Sequence, residues 1–188
     1  MSTISVIGAG GMAAAIGGLA ARAGHTVEVT SRETAKAPML AGQVGAGATR
    51  GTFGAAPAAD IVILAIPYAA VLDMVRQYRE GLSGKLLVDI TNPIDADFRG
   101  FVTSEDSFGA PEIVKVAPAD ADVVKAFNTQ FSHVLAARPG GGNPLDVFLA
   151  GDDAQAKGRV SACIESLGLR PMDTGSCPWR GRWSTLSC

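Results

Sequence analysis

Cysteine is scarce in this chain: three residues in 188, two of them within the last twelve. No pair shows metal-ligand spacing, so no metal site is expected, and the thiols are expected to be reduced in a cytoplasmic protein. Charge of one sign is lacking too. Sixteen Lys and Arg face eighteen Asp and Glu, a formal net charge of −2, which points away from nucleic acid and from an acidic membrane surface as partners. No apolar run approaches the roughly 20 residues of a membrane span. Met1 leads directly into a strand-like run with neither a basic segment nor a cleavage site, so no targeting segment is expected. There is no internal repeat and no linker, and 188 residues are enough for one domain with a real core. What is present is 47% apolar sequence rich in Gly and Ala, the composition of a tightly packed α/β protein.

The first thirty-two residues carry the strongest pattern. Ile4–Ile7 is a short apolar run that enters Gly8-Ala9-Gly10-Gly11-Met12-Ala13. Small and apolar residues follow at helical spacing through Leu19, Ala20 and Ala23. Gly24-His25 ends that stretch, and Thr26–Thr30 reads as a second strand. Strand, glycine turn, helix, strand is the phosphate-binding half of a dinucleotide fold. Gly8 allows the tight turn, Gly10 lets backbone approach a pyrophosphate, and Ala13 stands where a third small residue lets helix and strand pack closely. The first N–H groups of the helix and its dipole then favour an anion. A glycine turn without a ligand is the alternative, and the strand–turn–helix context argues against it.

The end of the second strand selects the cofactor. An NAD-preferring site places Asp or Glu there for the ribose 2′-hydroxyl. Here Thr30, Ser31 and Arg32 occupy it, with Lys36 slightly later. A hydroxyl and two cations suit a 2′-phosphate, and the Arg32 guanidinium can reach the phosphate while stacking on adenine. The competing reading makes Arg32 and Lys36 ordinary surface cations at a helix start. Glu28, inside the strand, is expected to be solvated or paired with a neighbour rather than to hold ribose.

Further along, a helix is expected over Thr34–Gln43, with Pro38 in its first turn. At most one short strand falls within Gly45–Gly54, and Ala55–Ala59 reads as a short helix. Asp60–Pro67 and Gly84–Ile90 are continuous apolar runs, as in parallel strands covered on both faces. Tyr68–Arg79 has helical spacing at Val71, Leu72 and Val75. Residues 94–110 read as a polar loop with Phe98, Phe101 and Phe108, and Pro111–Ala117 as a helix. Asp122–Thr129, Leu145–Ala150 and Leu169–Asp173 are further strands, and Asp153 lies near the start of a helix reaching Leu167. The whole predicts a doubly wound, Rossmann-type, mostly parallel α/β sheet in a single domain. Ligands of such sheets lie beyond the carboxyl ends of the strands. That places Ile66, Pro67, Tyr68, Asn92, Pro93 and Asn128 on one crevice with Gly8–Met12 and Ser31–Arg32. Pro67 and Pro93 either stiffen its wall or only end their strands. No Ser-Tyr-Lys set and no Lys-Asn pair for carbonyl reduction stands out. His25 reads as a helix-end residue, Cys163 as core, and His133 as a weak catalytic candidate beside Asn128.

The ordered set Gly8–Ala13, Ser31-Arg32 with Lys36, Ala65–Tyr68, Val124–Thr129, Gly151–Asp153 and Gly168–Gly175 resembles the NADPH-dependent reductases of the deazaflavin coenzyme F420. The resemblance runs from Met1 to about Gly175. It implies NADP(H) as cofactor, with hydride transfer between C4 of the nicotinamide and C5 of a stacked deazaflavin. It also implies that Ala9, Gly10, Gly11 and Met12 hold the pyrophosphate. Ser31, Arg32 and Lys36 would hold the 2′-phosphate, and Ile66 and Pro67 would line the dinucleotide path. Asn128 falls where F420-using members can place a histidine, and Ala-Phe-Asn-Thr is similar to relatives that use a flavin. A homodimer is a further implication. Hydride transfer of this type needs alignment and dryness more than acids or bases.

Residues 1–175 are thus read as the NADP-binding domain and 176–188 as an atypical tail. Relatives continue with a long apolar helix, whereas this tail shows neither helical nor strand period. It reads as a shifted frame or a divergent truncation. Trp179 or Trp183 either stacks over the crevice or belongs to a loosely ordered end. Two alternatives to F420 stay open: an NADPH-dependent reductase of a flavin, imine or carbonyl, and a non-catalytic NADP-binding redox sensor.

Overall fold

The computed structural model describes residues 2–45, 47–95, 97, 99–103, 109–137 and 143–176. The expectations for Phe98, Phe108, Cys177, Trp179, Trp183 and the rest of the tail lie outside them. The apolar runs without polar alternation become the sheet centre: β1 (Thr3–Ile7), β4 (Ile61–Leu64) and β5 (Leu86–Asp89). Flanking them are β2 (Thr26–Thr30), β3 (Ala48–Arg50), β6 (Asp122–Ala126), β7 (Asp146–Ala150) and β8 (Arg170–Asp173). They form one eight-stranded sheet in the order β3-β2-β1-β4-β5-β6-β7-β8. Every neighbouring pair is parallel except β6 with β7. The strand order reverses between β1 and β4, as the Rossmann-type reading requires.

The helices cover both faces. Ile16 of α1 (Gly11–Arg22), Leu40 of α2 (Lys36–Val44), Leu135 of α5 (Ser132–Ala136) and Val160 of α6 (Ala154–Ser166) share one core with Ile4, Val6 and Val88. Val71 and Val75 of α3 (Tyr68–Tyr78) and Ile113 of α4 (Gly109–Val116) pack on the other face against Val62 and Leu87. Alternate residues of β1, β4 and β5 therefore feed two separate cores, which explains the unbroken apolar runs. Among the described residues no helix is long and apolar enough to cross a membrane.

Four local expectations change. Residues 55–59 are bends and irregular backbone, not a helix. Their donors are captured tertiarily: Ala58 N–H reaches Glu28 Oε2 at 2.9 Å and Ala59 N–H reaches Ser5 Oγ at 3.1 Å. α4 starts at Gly109, ahead of Pro111, because proline is tolerated in a first turn. Ile94 and Phe101 form an isolated antiparallel bridge within the expected loop. α5 has five residues, too few to show a period in sequence.

The Asp153 side chain caps α6, accepting the Ala156 N–H at 2.7 Å. Asp153→Ala leaves that N–H without its partner and is expected to lower stability by about 1 kcal/mol. Urea unfolding followed by circular dichroism would read this as a lower midpoint at unchanged slope.

Candidate dinucleotide site at the carboxyl ends of the strands

Gly8 leaves β1 with φ +137°, and a Cβ there would lie 2.0 Å from the Ala65 carbonyl oxygen. No side chain fits, so the glycine serves a close approach of two strand exits as well as a turn. Gly8 N–H donates to Thr30 O and Ala65 N–H to Ile7 O, both at 2.8 Å. The exits of β1, β2 and β4 are thereby tied together. Above Gly10 nothing lies within 4 Å, whereas a Cβ on Gly11 would meet Ser132 Oγ at 2.9 Å. A side chain at position 11 would thus crowd Ser132 of α5. Ala13 is fully buried, as its place in the motif requires. α1 begins without a side-chain cap and without an acid in its first turn. Its leading N–H groups face the crevice with a positive helix end behind them. Ala9 and Met12 are half-buried beside this turn.

At the end of β2, Ser31 Oγ accepts the Glu33 N–H at 3.2 Å. Lys36 Nζ is engaged by Glu33 Oε1 at 2.7 Å. Arg32 is exposed and makes no hydrogen bond or ion pair with a described residue. Glu33 escaped the sequence reading, although its three-residue spacing from Lys36 was the available signal. Thr30 is buried, with its hydroxyl beside Gly51. Glu28 is paired with its neighbours: Ser5 Oγ donates to it at 2.5 Å.

On the opposite wall, Ile66 is half-buried and Pro67 is exposed at the start of α3. Tyr68 is buried in the core beneath α3 and α4, and burial, then the Glu112 and Asp89 carboxylates, raise its hydroxyl pKa. Asn92 and Asn128 meet: Asn92 Nδ2 donates to the Asn128 carbonyl at 2.8 Å, and Asn128 Nδ2 to Asn92 Oδ1 at 3.3 Å. Pro93 is buried behind them. Phe127, just before Asn128, has φ +61° while fully enclosed; it is the one described non-glycine residue with positive φ. Below lies a pair that the sequence reading missed, Asp89 with Lys125 at 2.8 Å. A charge inside each of two apolar runs was the signal.

The remaining candidates fall elsewhere. His133 is exposed on α5 with its ring stacked on Phe131 at 5.7 Å. His25 is buried at the amino end of the sheet, between Ser2 and Ser166. Cys163 packs against the core, and burial pushes its thiol up to about 11, out of the reactive range.

Two substitutions test this geometry. Gly8→Ala drives a methyl into the Ala65 carbonyl and is expected to lower stability by about 3 kcal/mol. A thermal melt without ligand reads it. Glu33→Gln releases Lys36 and removes a negative charge beside the expected 2′-phosphate. NADPH should bind roughly two- to fivefold tighter, with NADH unchanged, in fluorescence titrations at low salt.

The family model described as NADP oxidoreductase, coenzyme F420-dependent, matches residues 3–93. The chain is 36% identical over 95 residues to metalloreductase STEAP3 of Rattus norvegicus, covering 50% of this chain and 18% of that protein. It is 31% identical over 130 residues to the F420-dependent NADP reductase of Methanocaldococcus jannaschii, covering 65% of this chain and 56% of the relative. The solved structure of a candidate F420-dependent NADP reductase from Arthrobacter sp. FB24 is similar, with a TM-score of 0.78 and 28% identity over 94% of this chain and 86% of that one. This chain spans about half the length of one curated relative and less than a fifth of the other. Residues 3–93 of the chain are thus similar to the F420-dependent NADP oxidoreductase family.

Proposed function

We propose that this protein is an NADP(H)-dependent oxidoreductase that passes a hydride between the nicotinamide and a deazaflavin of the F420 type. The observation that carries this reading is Arg32, exposed at the end of β2 with no partner among the described residues, in a chain whose residues 3–93 match that family model. The residues fit the dinucleotide. Space is open above Gly10, and no carboxylate stands in the first turn of α1. When bound, NADP(H) supplies the hydride chemistry at its nicotinamide ring.

The chain binds and aligns. Ala9, Gly10, Gly11 and Met12 present backbone N–H groups to the pyrophosphate. Arg32 grips the 2′-phosphate with its fork of donors, Ser31 adds a hydroxyl, and Lys36 adds a second cation once Glu33 yields it. Ile66 and Pro67 shape the dinucleotide path, and Asn92 with Asn128 forms the far wall. Alignment and exclusion of water are sufficient work for the protein, since both rings carry their own reactivity. A flavin as acceptor is a second reading, favoured by Asn128 at a place where F420-using members can carry a histidine. The same reading gives the protein small-molecule partners, a cytoplasmic place and a homodimeric assembly.

Purified protein, NADPH and oxidised F420 are expected to lose both cofactor absorbance bands together. NADPH binding without any loss of absorbance would transfer the reading to another acceptor. Arg32→Asp removes two phosphate contacts and adds repulsion, which should weaken NADPH relative to NADH by about 2–4 kcal/mol. Equal weakening of both cofactors would sink the assignment of NADP(H).

A further inference from the structure

We infer that the buried Asp89–Lys125 ion pair is the positioning element that sets the acceptor-side wall of the crevice, an inference that rests on the NADP(H) reading above. The pair lies inside the sheet, with the Lys125 side chain 5% exposed and that of Asp89 fully enclosed. Burying two charges gives little net stability, because desolvation offsets their attraction. A pair of this kind is better placed to specify geometry. Its hydrogen bonds beyond the pair both go to one residue. Asp89 Oδ2 accepts from Lys125 Nζ at 2.8 Å, and Asp89 Oδ1 accepts the Thr91 N–H at 2.8 Å. Lys125 Nζ also donates to the Thr91 carbonyl.

Thr91 is therefore held at its N–H by the carboxylate and at its carbonyl by the ammonium. Those two contacts orient the backbone on which Asn92 stands. Asn92 then clamps the Asn128 carbonyl at 2.8 Å, directly after Phe127 in its left-handed conformation. Such a conformation persists only where its surroundings over-determine it. The exits of β5 and β6 thus behave as one rigid unit, oriented from below by two charges that never reach the crevice. Binding of the phosphates, on the other side of the crevice, does not depend on this unit.

The test uses Asp89→Leu/Lys125→Met, which removes both charges and leaves neither orphaned. Three quantities are read on the full chain: the urea midpoint, the NADPH dissociation constant, and the fluorescence enhancement of the bound nicotinamide. The last reports how firmly the ring is held and needs no acceptor. The expected result is a lowered midpoint, because the buried Thr91 N–H and carbonyl lose their partners, with an affinity within threefold of wild type and most of the enhancement lost. In turnover, kcat should fall tenfold or more at unchanged KM for NADPH. A double variant that keeps the wild-type enhancement overturns the inference. So does one in which stability, affinity and enhancement decline in parallel, since that is a merely structural role. If the double variant does not fold, Asp89→Asn, which keeps the shape and one acceptor, is read by the same fluorescence criterion with the same two outcomes. Wild-type protein that binds no NADPH fails before any variant is compared. That result overturns the cofactor reading and this inference with it.

Discussion

The approach of Gly8 to the Ala65 carbonyl is the contact on which the site depends. A Cβ at Gly8 would stand 2.0 Å from that oxygen, so β1 and β4 can leave the sheet side by side only if residue 8 has no side chain. The hydrogen bond from Ala65 N–H to the Ile7 carbonyl holds the contact, and that from Gly8 N–H to the Thr30 carbonyl ties in the exit of β2. Both lie at the point where strand order reverses, β2 lying on one side of β1 and β4 on the other. Chains leaving such a point diverge to opposite faces, and a crevice is left between them. The uncapped start of α1, the open space above Gly10 and the exposed Arg32 all take their places from that crevice.

The two ends of the crevice use charge differently. At the β2 end the cations are exposed, and Lys36 is loosely tied to Glu33 with both side chains more than half exposed. Such charges are screened by salt and can rearrange around a phosphate at little cost. At the other end the charges of Asp89 and Lys125 are sealed within the sheet and bonded to backbone. They cannot meet a ligand, but they resist displacement because separating them leaves a buried charge unpaired. Under the proposed function, an adaptable grip on phosphate and a stiff wall for the reacting ring would be complementary needs of hydride transfer, which depends on orientation.

Local pattern was sufficient for the elements whose faces are uniformly buried. The runs at Ile61–Leu64 and Leu86–Asp89 are strands, and the β1-α1-β2 unit falls where its glycine turn placed it. Local pattern failed where tertiary contacts consumed the backbone donors. Residues 55–59 have helix-compatible composition, yet Glu28 and Ser5 capture the N–H groups of Ala58 and Ala59. Short α5 was invisible for another reason: five residues carry too little period, and its position is fixed by packing on α1 through Ser132 and Gly11.

At the site, residue identity alone determined the glycine turn, the lack of an acid at the tip of β2, and the cap at Asp153, because each depends on groups within a few residues of one another. Register and packing decided the rest. Only the folded sheet brings Asp89 against Lys125, thirty-six residues apart, and Asn92 against Asn128 at the same separation. Only the fold turns Tyr68 into the core while leaving Pro67 exposed beside it. Partners on neighbouring strands are chosen by strand order and hydrogen-bond register, which are properties of the assembled sheet rather than of any local stretch of chain.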